Sequence, residues 1–321
     1  MLDELFNRRA LIVVGKGGVG RTAVSAALAL ARARQDARVL AMEYDRMGPL
    51  TAALGRAKPS LVPVEVAPRL YALVLDGARQ LEEYLGTVVP NRALLRAIVR
   101  SRAYRYFIDA APGLRELIII GKIFHELERR PPSPPWDLIV LDAPASGQAL
   151  SLFRMPLAAH QTFGGGVVGR EAHNVASLLR DPRRCAVVLV TAPEPFAVRE
   201  TLETYHALRE MGLTLGAVVF NRTRAPRFDA PAAARLVRRP ALRAAAPHLD
   251  ELCALARAEL ARAAAERRAI ALVARRTGAP VIRLAECAGA EAGELVRALA
   301  RQLVAPASAP GAGGAGARAR R

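Results

Sequence analysis

Lysine is nearly absent from this chain. Lys16, Lys58 and Lys122 are the only three, so 44 of the 47 basic residues are arginine. The excess of base over acid gives a formal net charge of +18 and a pI near 11.2. An arginine- and alanine-rich, lysine-poor composition is typical of a GC-rich genome. The charge therefore leaves room for an acidic partner without itself arguing for specific nucleic-acid binding. Cysteine is equally scarce. Cys185, Cys253 and Cys287 form no C-x-x-C pair, which excludes a zinc ribbon or a disulfide framework. Cys185 heads an apolar run and is expected in the core. No run of 18 apolar residues occurs, so no transmembrane span is expected. The first strand is expected almost at the N-terminus, with no leader pattern before it, so the expected compartment is the cytoplasm.

What the chain does have is a single large hydrophobic complement, 52% of 321 residues, enough for one extensive core. Near its start, Ala10–Val14 reads as a buried strand and runs into Gly15-Lys16-Gly17-Gly18-Val19-Gly20-Arg21-Thr22. A helix-forming stretch, 23–34, follows. Strand, glycine-rich loop and helix in that order make a phosphate site. Glycines let several N–H groups turn toward one anion, and the helix N-terminus adds its dipole. Thr22 stands where a hydroxyl ligand for Mg²⁺ is expected, and Arg21 occupies the usual position of the loop lysine.

Further along, alternating patterns predict strands at 37–42, 70–75, 136–142, 186–191, 213–221 and 281–284. Helices are expected over 77–129 (in part), 143–156, 171–179, 196–211, 230–276 and 291–303. The apolar stripe Leu94, Leu95, Ile98 and Val99 reads as the core of a helical subdomain. Pro131-Pro132-Ser133-Pro134-Pro135 reads as a stiff connector, and residues 305–321 as a disordered basic tail. Strands alternating with helices predict an α/β fold of the P-loop NTPase kind, a mostly parallel sheet with helices on both faces. The expected layout is one P-loop domain over 1–304, with a helical insertion near 77–130 and further helices near 157–180 and 230–276.

Ligands in such sheets sit at the C-terminal strand ends. The loop, Asp45, Asp142 and Asn221 all fall there. Asp142 follows an apolar strand 120 residues after Thr22 and can hold the Mg²⁺ shell through water. Asp45 can orient the attacking water. His160 and His173 read as isolated residues, at the surface or in the core.

The GKGG opening resembles the deviant P-loop of a class that includes the MinD/ParA proteins, nitrogenase iron protein, and the arsenical-pump-driving and tail-anchored-protein-targeting ATPases. The stretch Asp142-Ala143-Pro144-Ala145-Ser146-Gly147-Gln148-Ala149-Leu150-Ser151-Leu152-Phe153-Arg154-Met155-Pro156 resembles switch II of the last two, the ArsA-type family. Residues 39–45 are similar to its switch I, 111–117 to a P-G-x-x-E region, and Asn221-Arg222 to the strand end that contacts adenine. This resemblance implies a Mg²⁺-dependent ATPase acting as a homodimer. Lys16 would reach the partner's nucleotide, Arg21 and the loop N–H groups would hold the phosphates, and Asp45 would orient water.

The chain departs from the family pattern at Arg21, at Arg46 and Gly48 in switch I, and at Gln148 in switch II. No cysteines cluster for a soft metalloid, and the C-x-x-C that clamps targeting dimers is absent. No methionine lies in 77–129, so the adaptable groove of a transmembrane-helix carrier is not expected there. Two other readings stay open: a nucleotide-binding regulatory module with little hydrolysis, and a positioning ATPase like MinD/ParA. The client, whether oxyanion, hydrophobic helix or other protein, is not specified by the sequence.

Overall fold

The structure is a computed structural model that describes residues 2–44, 47–88, 91–102, 113–128, 136–163, 166–225 and 248–305. Asp45, the proline-rich connector, Ala111 and Pro112, residues 230–247 of the expected helical stretch, and the tail from residue 306 lie outside them.

In chain order the elements are α1 (Leu2–Phe6), β1 (Ala10–Gly15), α2 (Arg21–Ala33), β2 (Val39–Glu43), α3 (Pro49–Ala53), β3 (Val64–Ala67) and β4 (Leu70–Val74). Three helices follow: α4 (Gly77–Val88), α5 (Arg92–Arg100) and α6 (Leu114–Glu128). Next come β5 (Leu138–Asp142), α7 (Ser146–Phe163), α8 (Val167–Arg180), β6 (Cys185–Thr191) and α9 (Pro195–Glu210). The series closes with β7 (Leu215–Thr223), α10 (His248–Thr277), β8 (Val281–Ala285) and α11 (Ala292–Val304).

The eight strands form one sheet in the order β3-β4-β2-β5-β1-β6-β7-β8. All neighbours are parallel except β3 and β4. Parallel strands covered on both faces must be apolar on both faces, and β1 shows why they read as unbroken hydrophobic runs. Leu11 and Val13 enter one core, which holds α2 and α11 residues; Ala10, Ile12 and Val14 enter the other, with α6, α7, α8 and α9 residues. Burying one such Leu or Val side chain contributes about 1.5–3 kcal/mol. The connection from β1 leaves toward β2, and that from β5 leaves toward β6. The two adjacent strands thus part in opposite directions and open a crevice at their C-terminal ends.

α2 is buried almost all round. Val24, Ala27, Leu28 and Ala31 face the core as their spacing predicts, and Ser25, Ala26, Ala29 and Ala33 are buried as well. The second buried side packs against α11.

Several elements differ from the sequence expectation. β3 carries no glycine or asparagine turn signal before β4; the hairpin turns through Pro68 and Arg69, the latter at φ 61°. α1 precedes the first strand and buries Leu5 and Phe6. The helix expected within 143–156 and the start of those expected near 157–180 are one unbroken helix, α7, which runs through Pro156 to Phe163. The imino acid removes one N–H, while Leu152, Phe153 and Ala159 are buried on either side of it, so packing carries the helix through. Of the 94–99 stripe, Leu94 is 54% exposed and Ile98 and Val99 are half-buried, so these three are not core. The apolar stripe of α6, by contrast, is core, with Ile119, Ile120, Ile123 and Leu127 among the residues covering the sheet. Cys185 is buried as expected.

Candidate functional site

The site begins where β1 ends. Gly15 lies so close to β6 that a Cβ there would meet the Val190 carbonyl oxygen at 2.4 Å, so only glycine allows this approach. The chain then turns outward through Lys16, Gly17 and Gly18 and re-enters at Val19, which is buried. Gly20 ends the loop in the left-handed region at φ 85° and serves as the N-cap of α2. It offers no side-chain cap, so the first N–H groups of the helix are left for another acceptor.

Asn221, at the end of β7, explains the second constraint on Gly20. Its Nδ2 donates to the Val19 carbonyl at 2.9 Å and would lie 2.3 Å from a Cβ on residue 20. Asn221 is buried beneath the loop and pins its shape.

Sheet register places Asp142 opposite Val13, just short of the loop. Three donors converge on its carboxylate. Thr22 Oγ1 donates to Oδ2 at 2.7 Å, and Arg21 Nε donates to Oδ1 at 3.2 Å. Ser25 Oγ lies 2.9 Å from Oδ1 and 3.0 Å from the Arg21 carbonyl oxygen, and its single proton serves one of them at a time. Arg21 also donates from a terminal nitrogen to the Gly15 carbonyl at 3.1 Å. Asp142 is only 4% exposed. Burial pushes its pKa above the ordinary carboxylate value; the Arg21 charge and the Thr22, Ser25 and Arg21 hydrogen bonds pull the other way.

The residues fit a hard cation in type. Oxygen donors and one buried carboxylate beside a phosphate loop suit Mg²⁺, which commonly takes one or two carboxylates and the rest from phosphate and water. Thr22 and Asp142 are the residues that would hold it. Arg21 now lies where such an ion's charge would act.

Glu43 is the neighbouring acid, opposite Asp142 in the register of β2 and β5. It is fully buried and caps α3: its carboxylate accepts from the Leu50 and Thr51 N–H groups and from Thr51 Oγ1 at 3.0 Å. Burial raises its pKa, the α3 hydrogen bonds lower it, and the nearby Asp142 adds a smaller upward push. Glu43 is thus committed to holding the start of α3, and Asp45 follows Glu43 by two positions in the sequence.

Lys16 is half-buried at the loop mouth, its ammonium 5.5 Å from the centroid of Phe196, a ring that is 76% exposed at the first turn of α9. One turn further on, Glu200 accepts a hydrogen bond from Ser146 at the start of α7. α9 therefore touches both the loop lysine and the switch II helix.

The structure brings Gly15, Lys16, Arg21, Thr22, Asp142 and Asn221 to one crevice. Ser25, Phe196 and Glu200 were not singled out in the sequence. Ser25 was legible, since it follows Thr22 by three positions and so shares its helix face. The other two depend on tertiary packing. His160 and His173 are not isolated: their ring nitrogens Nε2 and Nδ1 are 3.4 Å apart across α7 and α8.

Among the described residues no helix is long and apolar enough to cross a membrane.

Comparison with known proteins agrees with this architecture. The family model for anion-transporting ATPases matches residues 8–165, the span from β1 through α7. The ATPase BagA of Mycobacterium tuberculosis is 33% identical over 229 residues, covering 68% of this chain and 66% of the relative, just under two thirds of its length. The arsenical pump-driving ATPase of Acidiphilium multivorum is 28% identical over 229 residues, covering 66% of this chain and 39% of that protein. The protein of the same name from Escherichia coli is 25% identical over 228 residues, covering 66% and 39%. With its P-loop, its strand-end aspartate and these relatives, the chain belongs to the ArsA-type anion-transporting ATPase family.

Proposed function

We propose that this chain is a Mg²⁺-dependent ATP-binding and ATP-hydrolysing switch that couples nucleotide state to a transport or targeting client. The observation that supports it is the convergence of Thr22, Ser25 and Arg21 on Asp142 at the mouth of a glycine loop that opens a helix. In this reading the N–H groups of Gly17–Thr22 receive the β- and γ-phosphates. Thr22 and, through water, Asp142 would hold Mg²⁺, which would neutralise phosphate charge. Arg21 turns from Asp142 toward the phosphates. Asp45 orients the attacking water, and Asn221 keeps the loop in shape while lying near the adenine side. A second copy completes the site through Lys16, which would leave the Phe196 ring to do so. Ser146, Gly147 and Gln148 begin the element that carries nucleotide state onward into α7.

The direct test is equilibrium binding of a fluorescent ATP analogue to purified protein, with and without Mg²⁺, beside a phosphate-release assay. Mg²⁺ should tighten binding, and Asp142→Asn should abolish that tightening. Absence of nucleotide binding would overturn the reading.

A second reading, a nucleotide sensor that scarcely hydrolyses, is favoured by one observation. Arg21 is engaged inward with Asp142 and Gly15 and is a wide fork where a compact lysine usually stands. Binding without turnover is its signature. A metalloid client is disfavoured: Cys185 and Cys253 are buried, and burial pushes the Cys185 thiol up to about 12, far from thiolate.

A further inference from the structure

We propose that His160 and His173 form a second metal site, for an imidazole-preferring divalent transition ion such as Ni²⁺ or Zn²⁺, separate from the nucleotide crevice. His160 Nε2 and His173 Nδ1 are 3.4 Å apart. Tetrahedral zinc, with Zn–N bonds of about 2.0–2.1 Å, places two ligating nitrogens about 3.3 Å from one another. The separation is therefore already that of one chelated ion. The ring centroids are 4.6 Å apart and the planes tilt by 49°. Both side chains are exposed, so a small turn of each ring about its own side-chain torsions would aim the two nitrogens at one ion between them.

The two histidines stand on regular helices packed against each other, not on loops, so the spacing is held by the buried faces of α7 and α8, including Leu152, Val175 and Leu178. Both side chains are exposed, which leaves the outward positions of a bound ion to water or to a further donor. Among the described residues no group of three or more His, Cys, Asp or Glu is arranged around a metal, so the protein supplies two ligands. Imidazole suits Zn²⁺, Cu²⁺ and Ni²⁺ and gives nothing to Mg²⁺, so the cation expected at Asp142 does not compete here.

The position gives the site a consequence. α7 starts at Ser146, hydrogen-bonded to Glu200 beside the nucleotide crevice. His160 lies 14 residues on, about 21 Å along the helix at 1.5 Å per residue. A metal bridging His160 and His173 ties the far end of α7 to α8 while its near end follows the nucleotide.

The test is calorimetric titration of the tag-free, nucleotide-free full chain with NiCl₂ at about pH 7.5, where imidazole is mostly neutral. Wild type should bind one equivalent saturably and melt at a higher temperature in its presence. His160→Ala and His173→Ala should each weaken binding by about tenfold or more, at least the loss seen when a ligand's supporting partner is removed. His206→Ala, on exposed α9, should bind as wild type does. No saturable binding by wild type, or undiminished binding by either His160→Ala or His173→Ala, would overturn the proposal. Because all three histidines are exposed, the variants are expected to fold, and far-ultraviolet circular dichroism with the melting curve checks this.

Discussion

The guanidinium of Arg21 ties the start of the phosphate loop to the end of β5: its Nε reaches Asp142 at 3.2 Å while a terminal nitrogen reaches the Gly15 carbonyl at 3.1 Å. A positive group thus already compensates the carboxylate that the family reading assigns to the metal. Nucleotide and metal would then enter by exchange: Arg21 releases Asp142, takes phosphate, and leaves Asp142 to the cation. A lysine lacks the planar fork that here spans Asp142 and the Gly15 carbonyl together, and as a compact point charge on a flexible stem it would be released more readily.

Arg21→Lys should therefore leave ATP affinity little changed and raise single-turnover hydrolysis by roughly tenfold, a barrier change of about 1.4 kcal/mol. Stopped-flow binding and quenched-flow hydrolysis separate the two steps. A slower Arg21→Lys protein would mean that the pocket is shaped around the fork.

Asp142→Asn tests the burial of charge. Burial raises the pKa of this carboxyl, so the folded state favours its neutral form more than the unfolded state does. Its contribution to stability is then whole below the ordinary carboxylate range and is lost as the pH climbs through the raised value. At about pH 7 the amide variant should melt higher than the wild type without ligand, and the gap should close as the pH falls toward that range. Mg²⁺-dependent nucleotide binding should disappear with the same substitution. Differential scanning calorimetry across pH reads the first effect, and analogue titration the second.

Gly20→Ala should destabilise the protein by about 1–3 kcal/mol, the typical cost of a residue held in a sparsely populated backbone region. It should also weaken nucleotide binding, because the new methyl group meets Asn221 Nδ2 at 2.3 Å. The double variant with Asn221→Ala removes the clash but not the strain at φ 85°. It should regain part of the stability and little of the binding, since Val19 loses its anchor. Urea melts of the four proteins in the cycle measure the coupling.

Asp45→Asn should keep ATP binding and lower turnover by about 10²-fold or more, as loss of a water-orienting group does. Lys16→Ala should abolish turnover, and mixing it with Asp45→Asn should restore some activity if one composite site survives in the heterodimer. Mixed dimers with no activity would count against action across the interface.

The central strands and the phosphate loop were legible because both depend on local pattern. β1, β5 and β6 are covered on both faces and so read as continuous apolar runs, and the glycines of the loop stand at fixed offsets from them. What was not legible depends on packing or on unusual backbone. Arg69 takes a positive φ that glycine or asparagine normally marks, so the turn before β4 left no trace. Pro156 signals a stop that buried neighbours override. His160 and His173 are 13 positions apart and meet only because α7 and α8 fold back on each other. At α5 the periodicity was real, but among the described residues Leu94 stands half in solvent and Ile98 and Val99 are only half-buried.

The alanine-lined burial of α2 sets the mechanics of the whole molecule. A helix wedged between the sheet and α11 has no free side along which to slide, and replacing Ala26 or Ala29 with anything larger would drive its neighbours apart. The phosphate end of the crevice is an anvil. A nucleotide bound there would press on a wall that cannot give, and the yielding side would be the one where Phe196 of α9 meets Lys16 of the loop and Glu200 of α9 holds Ser146 of α7.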